Sequence, residues 1–330
     1  MKILLTGASG YLGGHVLHAL KEAGHEVRAV THSTRHLEWI RTHADEVVAG
    51  DLRDYASLRK ACHGIQGLVH CAALLGAWRK IDQELVDVNV IGTAHLLRAA
   101  DRSGVGKVVH VSSVVAVGCT RDGKVLNEDA PWAQTPQPPI PYLRSKREAE
   151  GRVMSGVYAG MPITIVNPGS MLGPHAQDGR VKGHVAEVLK NPGQRIFPGG
   201  STVAGVKQTA QGVVAALDKG RVGERYLLGG HNLTWFALRN EIAKAARVAP
   251  PAGVWPGVLG QAGACMGLLV EMTPLSRPRF ARDRYRAWGW YSYADSSKAQ
   301  RELGYRIVPL EEIVSEAVDA CRTASLQPAG

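Results

Sequence analysis

The sequence predicts an α/β protein with a doubly wound parallel sheet, because two kinds of pattern alternate through its first half. Short runs rich in β-branched residues predict strands, and segments with apolar residues at helical spacing separate them. Strands joined by helix-length connections run parallel to one another. The predicted strands are Lys2–Thr6, Glu26–Thr31, Glu46–Ala49, Gly67–His70, Lys107–Ser112 and Pro162–Asn167.

Glycines mark the ends of the helices between these strands, as expected of residues that close a helix in the left-handed conformation. The predicted helices are Tyr11–Ala23, Ser57–Cys62 and Val90–Ser103, and Gly24, Gly64 and Gly104 follow them.

The chain changes character after the first half. Residues 131–141 hold five prolines, which predicts a surface loop that ends just before Tyr142. After Asn167 the regular alternation gives way to clusters of proline and glycine. The predicted division is a sheet domain at 1–169 with returning segments near 205–230 and 291–310, a smaller substrate-binding portion at 170–204 and 231–290, and a C-terminal helix and tail at 311–330.

Composition excludes several classes of protein. The 330 residues are 45% hydrophobic and 21% charged, which is ordinary for a globular chain. The net charge is +10, but no basic block with interleaved aromatic residues and no DNA-binding motif occurs, so we expect no nucleic acid and instead solubility or attraction of a small anion. The five cysteines lack metal-ligand spacing, which predicts neither a disulfide framework nor a metal site and favours a cytoplasmic protein.

The segment 252–270 is the nearest approach to a membrane segment. Its nineteen residues carry no formal charge but include Pro256, Gln261 and several glycines, which is poor composition for a transmembrane helix. We expect a hydrophobic cap or pocket wall here, with shallow contact with a membrane surface or with a lipid-like substrate as the alternative.

A glycine-rich turn follows the first strand and opens the first helix. The residues Gly7-Ala8-Ser9-Gly10-Tyr11-Leu12-Gly13 read G-x-x-G-x-x-G in a strand–turn–helix context. Glycines allow a tight turn and close backbone approach, and the helix N-terminus offers amides to a pyrophosphate. The pattern predicts a dinucleotide site with contacts from Gly7, Ser9, Gly10, Tyr11, Leu12 and Gly13.

The residues after the second strand favour NADP(H) over NAD(H). A site for NAD usually offers a carboxylate to the ribose 2′-hydroxyl, whereas Thr31–His36 contains none. His32, Ser33 and Arg35 could instead receive a 2′-phosphate; the alternative is a solvated loop in an enzyme that uses either cofactor. After the third strand, Asp51 and Leu52 are expected at the adenine, although Asp51 could equally cap the next helix, as could Asp54.

Tyr142 and Lys146 are four residues apart at the head of a predicted helix, so they share one face. A lysine beside a phenol, together with a cationic nicotinamide, lowers the phenol pKa toward working pH. Such a tyrosine can give a proton to a carbonyl oxygen or take one from an alcohol.

These motifs together resemble the extended short-chain dehydrogenases/reductases of the NAD-dependent epimerase/dehydratase superfamily. Within it the chain is most similar to the branch of dihydroflavonol-4-reductase-like enzymes and hopanoid-associated sugar epimerase-like proteins. The matching segments are TGASGYLGGHV at 6–16, GDLRD at 50–54, HCAA at 70–73, VNVIGTAHLL at 88–97, VVHVSSVVAVG at 108–118, YLRSK at 142–146, NPGSMLGP at 167–174, GERYLLGG at 223–230 and DSSKAQRELGY at 295–305.

The resemblance implies a Rossmann-type fold and a role for each matching residue. Ser113, Tyr142, Lys146 and Asn89 would be catalytic, with Tyr142 as acid/base. His70 would line the cofactor by its backbone, its side chain being equally well explained as part of the core. The other implied cofactor contacts are Ala72, Ala73, Ser112, Tyr142, Lys146, Pro168, Gly169 and Ser170.

One departure concerns residues 205–208, where relatives commonly have His-Val-Asp-Asp and this chain has Gly-Val-Lys-Gln. We expect altered packing there rather than lost catalysis. The resemblance also implies a homodimer through helices near 90–103 and 142–158; Ala94, Leu96, Leu97 and Ala99 are apolar enough for it, although a helix buried in a monomer would look the same.

We therefore predict an NADPH-dependent carbonyl reductase or alcohol dehydrogenase that acts on a fairly hydrophobic small molecule, delivering the pro-S hydride as the resemblance implies. The alternatives are a nucleotide-sugar epimerase or dehydratase that retains NAD, and a redox-sensing protein without catalysis. The tryptophans Trp78, Trp132, Trp235 and Trp255 could wall a hydrophobic substrate pocket. One or two of the arginines Arg277, Arg279, Arg282, Arg284 and Arg286 could clamp an anionic substrate, and the alternative is a solvated cationic loop or an oligomer contact.

Overall fold

The computed structural model describes residues 1–76, 82–131, 135–181, 183–259, 262 and 286–326. Several residues considered above lie outside this part of the chain: Trp78, Trp132, Arg277, Arg279, Arg282, Arg284, most of 260–270, and Cys265, which is one of the five cysteines.

A seven-stranded parallel sheet forms the centre of the molecule, with strand order β3-β2-β1-β4-β5-β6-β9. This order reverses direction beside β1, as in doubly wound folds, so the predicted fold class is confirmed. The strands are β1 (Lys2–Thr6), β2 (Glu26–Thr31), β3 (Glu46–Ala49), β4 (Gly67–His70), β5 (Lys107–Val111), β6 (Ile163–Pro168) and β9 (Arg225–Leu228).

Helices cover both faces of this sheet, which is why its strands are continuous apolar runs. On one face, α1 (Tyr11–Glu22) packs with α9 (Val206–Lys219) around a core that includes Val16, Leu20 and Val213. The other face is covered by α3 (Tyr55–Ala61), α5 (Gly92–Arg102) and α7 (Pro141–Tyr158). Short helices α2 (Leu37–His43), α4 (Asp82–Leu85) and α6 (Val114–Val117) complete this domain.

Four of the six predicted strands have the observed ends, and the other strand and helix ends differ from the predictions by one or two residues. Strand β5 ends at Val111, so Ser112 and Ser113 lie in the turn that leads to α6. Helix α3 begins earlier than predicted because the Asp54 carboxylate accepts a hydrogen bond from the Ala56 amide at 2.9 Å. As predicted, Gly24, Gly64 and Gly104 all have positive φ.

The helix predicted to start at Val90 begins at Gly92 in the structure, as α5. A π-helical turn, Val86–Ile91, comes directly before it and continues into it. Wider turns of this kind are frequent at functional sites. Asn89 lies in this turn.

A second, four-stranded sheet is built from the later part of the chain. Its order is β10-β8-β11, with β7 also pairing with β8. Helices α8 (His184–Lys190), α10 (Trp235–Ala246) and α12 (Leu310–Leu326) enclose a separate core with Val203, Leu238 and Val314. The strands are β7 (Ser170–Leu172), β8 (Gly200–Gly205), β10 (His231–Thr234) and β11 (Tyr291–Ser292), and α11 (Ser297–Leu303) returns to pack on α9 and β9.

The apolar residues of α5 that were considered for a dimer contact are mostly used within one chain. Leu96, Leu97 and Ala99 are buried in the core beneath the sheet, and only Ala94 is half-buried. The homodimer stays a prediction. Among the helices of the described residues, none combines the length and the apolar composition that a membrane crossing requires.

Candidate active site

A cleft of about 720 Å³ opens at the carboxyl ends of the parallel strands, where doubly wound folds bind their ligands. It runs along the glycine-rich turn after β1 and past the ends of β2, β3 and β4. The residues predicted from sequence that line it are Gly7, Ser9, Gly10, Tyr11, His32, Ser33, Arg35, Asp51, Leu52, Ala72 and Ala73.

The glycine-rich turn is packed too tightly for side chains at two of its positions. A Cβ at Gly13 would lie 2.0 Å from the Gly7 carbonyl oxygen, and a Cβ at Gly7 would lie 2.7 Å from the Ala72 amide nitrogen. Gly7 also has φ of 81°. A Cβ at Gly10 would meet only the Gly7 oxygen, at 3.1 Å.

The start of α1 fits a pyrophosphate. Gly10 is the N-cap of this twelve-residue helix and no side chain caps it, so its first amides and its positive dipole end are available to an anion. The tight turn, the uncapped helix and the cleft volume together suit a dinucleotide, since pockets for ligands of this kind span about 300–1,000 Å³.

The rim of the cleft beyond β2 is basic. His32 and Arg35 are exposed there and Ser33 is half-buried. Arg53, which sequence reasoning missed although it stands in the GDLRD segment, also lines the rim and holds the Asp51 carboxylate at 2.6 Å. This guanidinium, with the Arg53 amide, lowers the pKa of Asp51 to about 2.

The two aspartates after β3 make different contacts. Asp54 caps α3 through its contact with the Ala56 amide. Asp51 lines the cleft and is paired with Arg53. Asp54 and not Asp51 is therefore the cap of α3.

The far side of the cleft is closed by a segment that the sequence did not reveal, here called the strap (residues 173–180). Gln177 Nε2 donates to the carbonyls of Ala8 at 2.9 Å and Gly10 at 3.0 Å, and Tyr11 donates its hydroxyl to the Gly173 carbonyl at 2.9 Å. The strap thus crosses the glycine-rich turn. Its neighbours Met171, Leu172, Val181 and Gly183 line the cleft with Gly173 and His175.

Tyr142 and Lys146 lie on α7, which begins at Pro141 as the proline-rich loop ends. Lys146 is buried and its Nζ donates to the Val111 carbonyl at 3.0 Å. The next residue, Arg147, donates to the carbonyls of Ala116, Val117 and Thr135. These contacts hold α7 against the turn that follows β5.

Burial is the main cause of the pKa shifts of Tyr142 and Lys146. Burial raises the pKa of Tyr142 to about 12, so the phenol carries its proton at neutral pH. Burial also lowers the pKa of Lys146 to about 8, an effect that the charge of Glu150 opposes. The shift is therefore opposite to the lowering of the tyrosine pKa expected from Lys146.

Ser112 and Ser113 have different surroundings. The Ser112 hydroxyl donates to the buried Glu150 carboxylate, whereas the Ser113 backbone carbonyl accepts from Asn167 Nδ2 at 2.9 Å. A hydroxyl that already donates to a carboxylate is poorly placed to donate to a substrate. This favours Ser113 over Ser112 for substrate contact.

Asn89 joins three segments through its amide. Its Oδ1 accepts from the Leu74 amide at 2.7 Å, and its Nδ2 donates to the Leu74 carbonyl and to Ser145 Oγ, each at 3.0 Å. The π-helical turn thus ties the wall of the cleft to α7, beside Lys146.

His70 is a core residue. Its Nδ1 lies 2.8 Å from Thr6 Oγ1 and its Nε2 lies 3.0 Å from Thr93 Oγ1, with the ring fully buried. Burial, helped by the charge of Lys146, lowers its pKa to about 3. Neighbouring His110 has a pKa lowered well below its ordinary value for the same reason.

This burial predicts acid sensitivity. Between pH 6.5 and about 3 the unfolded chain binds a proton at residue 70 that the folded chain does not, so stability falls as pH is lowered through that window. In His70→Gln, the free energy of unfolding should fall less steeply with falling pH in that window. The slope should differ from that of the wild type by about 1.4 kcal/mol per pH unit. Urea unfolding at several pH values measures the slope, and equal slopes in both proteins would contradict the assignment.

Other predicted cofactor residues do not line the cleft. Gly13 lies behind the turn, and Leu12, His70 and Ser112 are buried. Pro168, Gly169 and Ser170 lie where the chain passes from β6 to β7, and a Cβ at Gly169 would lie 2.5 Å from Thr202 Cγ2. Their contact with a cofactor, like the roles of Ser113, Tyr142, Lys146 and Asn89, stays a prediction.

Three of the side chains predicted to shape the substrate site lie in the described part of the chain. Arg286 Nη1 donates to the Pro139 carbonyl at 2.9 Å, just before α7. Trp235 stacks on His184 at the start of α10, and Trp255 is exposed beside Arg195. Neither tryptophan lines the cleft described above. The described residues include no cluster of side chains that could hold a metal ion.

Comparison with known proteins agrees with this arrangement. The chain is 34% identical over 313 residues to sterol demethylase protein B of Methylococcus capsulatus, covering 92% of this chain and 93% of the relative. It is 27% identical over 311 residues to a 4-hydroxy-2-methyl-3-oxo-4-farnesyl-3,4-dihydroquinoline-1-oxide ketoreductase of Stigmatella aurantiaca, covering 92% of each. The crystal structure of gox2253 superposes with a TM-score of 0.83 at 29% identity, over 98% of both chains.

The family profile extends across both the glycine-rich turn and the Tyr142–Lys146 helix. Residues 3–229 match the NAD dependent epimerase/dehydratase family. The chain therefore belongs to this family of extended short-chain dehydrogenases/reductases.

Proposed function

We propose that the protein is an NADPH-dependent reductase that transfers hydride to a ketone or aldehyde of a fairly hydrophobic substrate. The observation that carries the proposal is the rim of the cleft, where Ser33 and Arg35 follow β2 without a carboxylate. A basic rim suits a ribose 2′-phosphate, and NADPH is the usual hydride donor of reductases that exchange cofactor in each turnover.

Each catalytic side chain has a defined task in this proposal. Bound NADPH supplies the hydride. Tyr142 donates its proton to the carbonyl oxygen as negative charge develops there, and Ser113 donates a hydrogen bond to the same oxygen. The Lys146 ammonium stabilises the phenolate that remains. Asn89 holds the wall of the cleft and α7 in register.

The hydrophobic character of the substrate is supported by two observations. Leu74, Leu75, Met171, Leu172 and Val181 line part of the cleft. One relative is named for a sterol and another for a farnesylated quinoline. Both names denote largely apolar molecules.

Arg35 provides a test of cofactor preference. Arg35→Ala should raise the Kd for NADPH by about 10- to 100-fold, because a charge-assisted hydrogen bond to phosphate is worth about 1.5–3 kcal/mol. The Kd for NADH should change less than about twofold, since NADH has no 2′-phosphate. Quenching of protein fluorescence measures both, with Arg41→Ala as the matched control because Arg41 is exposed on α2 and pairs with Glu38. Equal losses for the two cofactors would contradict a 2′-phosphate contact.

A nucleotide-sugar epimerase or dehydratase with retained NAD is the second candidate, and the strap favours it. The bonds from Gln177 to Ala8 and Gly10 close the glycine-rich turn from outside, which would slow release of a dinucleotide. An enzyme that returns its hydride to the substrate needs such retention.

The first experiment separates the two candidates. The protein is purified without added nucleotide and denatured, and any released cofactor is identified; NADPH and NADH are then titrated into the native protein. An empty protein that binds NADPH more tightly than NADH supports the reductase. Stoichiometric NAD(H) released from the purified protein would overturn it in favour of the epimerase class.

A further inference from the structure

A charged network lies behind the proposed catalytic residues. The Glu150 carboxylate is fully buried on α7, one turn after Lys146. Its Oε1 accepts from Arg225 Nε at 2.6 Å, and its Oε2 accepts from Asn167 Nδ2 at 2.9 Å and from the Ser112 hydroxyl. The four side chains come from α7, β9, the end of β6 and the turn after β5.

Such a network is costly to assemble, because a charged pair loses most of its hydration on burial. Apolar side chains of similar volume would fill the same space without that cost. Removing only one partner, however, leaves an uncompensated charge. A buried pair with both carboxylate oxygens in hydrogen bonds is therefore better explained by the geometry it imposes than by the stability it adds.

The geometry it imposes concerns three consecutive residues. Lys146 Nζ donates to the Val111 carbonyl, and Ser112 donates its hydroxyl to Glu150. Asn167 Nδ2 donates both to Glu150 and to the Ser113 carbonyl. Val111 and Ser112 are thus hydrogen-bonded directly to side chains of α7, and Ser113 is joined to α7 through Asn167.

We propose that Glu150 and Arg225 are positioning residues, which fix the Ser113 turn relative to the Tyr142–Lys146 helix and keep a negative charge beside the lysine. This inference rests on the proposed function for its kinetic consequence only.

The network also bears on the charge of Lys146. Glu150 faces this ammonium from its own helix. The other groups that face it are the His70 ring at the end of β4, the Cys71 thiol just after β4, and the His110 ring on β5. Of these, both histidine rings have pKa values lowered by burial and the Cys71 thiol has a pKa raised by burial, so all three are neutral near pH 7. Glu150 is then the group among them that also pairs with a guanidinium, that of Arg225.

The test compares Glu150→Gln with Glu148→Gln, a control on the same helix whose carboxylate is exposed and pairs with Arg144. Nuclear magnetic resonance of lysine-labelled protein, assigned with Lys146→Met, gives the pH midpoint of the Lys146 side chain without cofactor. We expect a midpoint about one pH unit lower in Glu150→Gln, a tenfold change in proton affinity, and no change in Glu148→Gln. An unchanged midpoint in Glu150→Gln would overturn the electrostatic part.

Kinetics test the positioning part. In Glu150→Gln, kcat should fall about 10- to 100-fold while the Kd for NADPH stays within about twofold, since a small displacement of catalytic groups has this effect. Normal kcat per folded molecule would overturn it. If the wild type reduces no carbonyl compound, the proposed function fails, whereas the Lys146 midpoint still decides the role of Glu150.

A double variant covers the case in which Glu150→Gln does not fold. Glu150→Gln with Arg225→Met removes both charges and should restore the free energy of unfolding toward that of the wild type. The proposal expects kcat to stay low in this variant. Recovery of full kcat would show that the pair serves stability alone.

Discussion

Replacing Tyr142 by phenylalanine should reduce kcat by about 10²- to 10⁴-fold, the usual contribution of a positioned general acid. The raised pKa of Tyr142, about 12, keeps its proton in place for donation at neutral pH. Phenylalanine preserves the ring and its packing near Ile140 and Trp290 but has no proton to give. The Kd for NADPH should change little, because the pyrophosphate and rim contacts are elsewhere.

Consumption of NADPH with a panel of ketones and aldehydes measures turnover, and a fluorescence titration measures the Kd. Tyr158→Phe is the matched control, since Tyr158 ends the same helix and is 84% exposed. Retention of wild-type kcat by Tyr142→Phe would remove the tyrosine from the mechanism.

The Gly13→Ala variant should lose dinucleotide binding by at least about 100-fold. Its added Cβ would stand 2.0 Å from the Gly7 carbonyl oxygen, a backbone atom that cannot move without opening the turn. Overpacking of this kind costs about 1–3 kcal/mol of folding free energy. Because the displaced backbone is also the one expected to face the pyrophosphate, binding should suffer more than folding.

Isothermal titration with NADPH and urea unfolding give the two quantities. Gly106→Ala is the control, because a Cβ at Gly106 would meet nothing closer than the Gln66 carbonyl oxygen at 3.7 Å. Wild-type affinity in Gly13→Ala would contradict a cofactor seated on this turn.

The central sheet could be predicted from sequence because its inner strands, such as β1, β4 and β6, are buried on both faces and are largely apolar runs. All six predicted strands occur, and the glycine-rich turn lies at their carboxyl ends. The predicted ends of the helices and of β5 and β6 differ by one or two residues from the observed ones, since such ends depend on single contacts such as the Asp54 cap.

The second sheet and the strap were not visible in the sequence for a physical reason. Strand β8 pairs with residues 28 or more positions away, and β7 has only three residues, so neither gives a local periodic signal. Gln177 and Glu150 are ordinary polar residues in sequence. Only the fold brings the first to Gly10 and the second to Arg225.

The alternation of the chain between its two sheets limits how relatives can exchange parts. After β6 the backbone passes to β7 and β8, returns through α9 to β9, and leaves again for β10. A fragment that ends near residue 169 lacks α9, whose Val213 and Leu217 complete one face of the central core. The two sheets therefore cannot be exchanged as separate units by a single crossover, because each is built from segments on both sides of residue 169 or depends on helices that follow it. We expect variants of this architecture to differ by loops changed in place, with both sheets kept together.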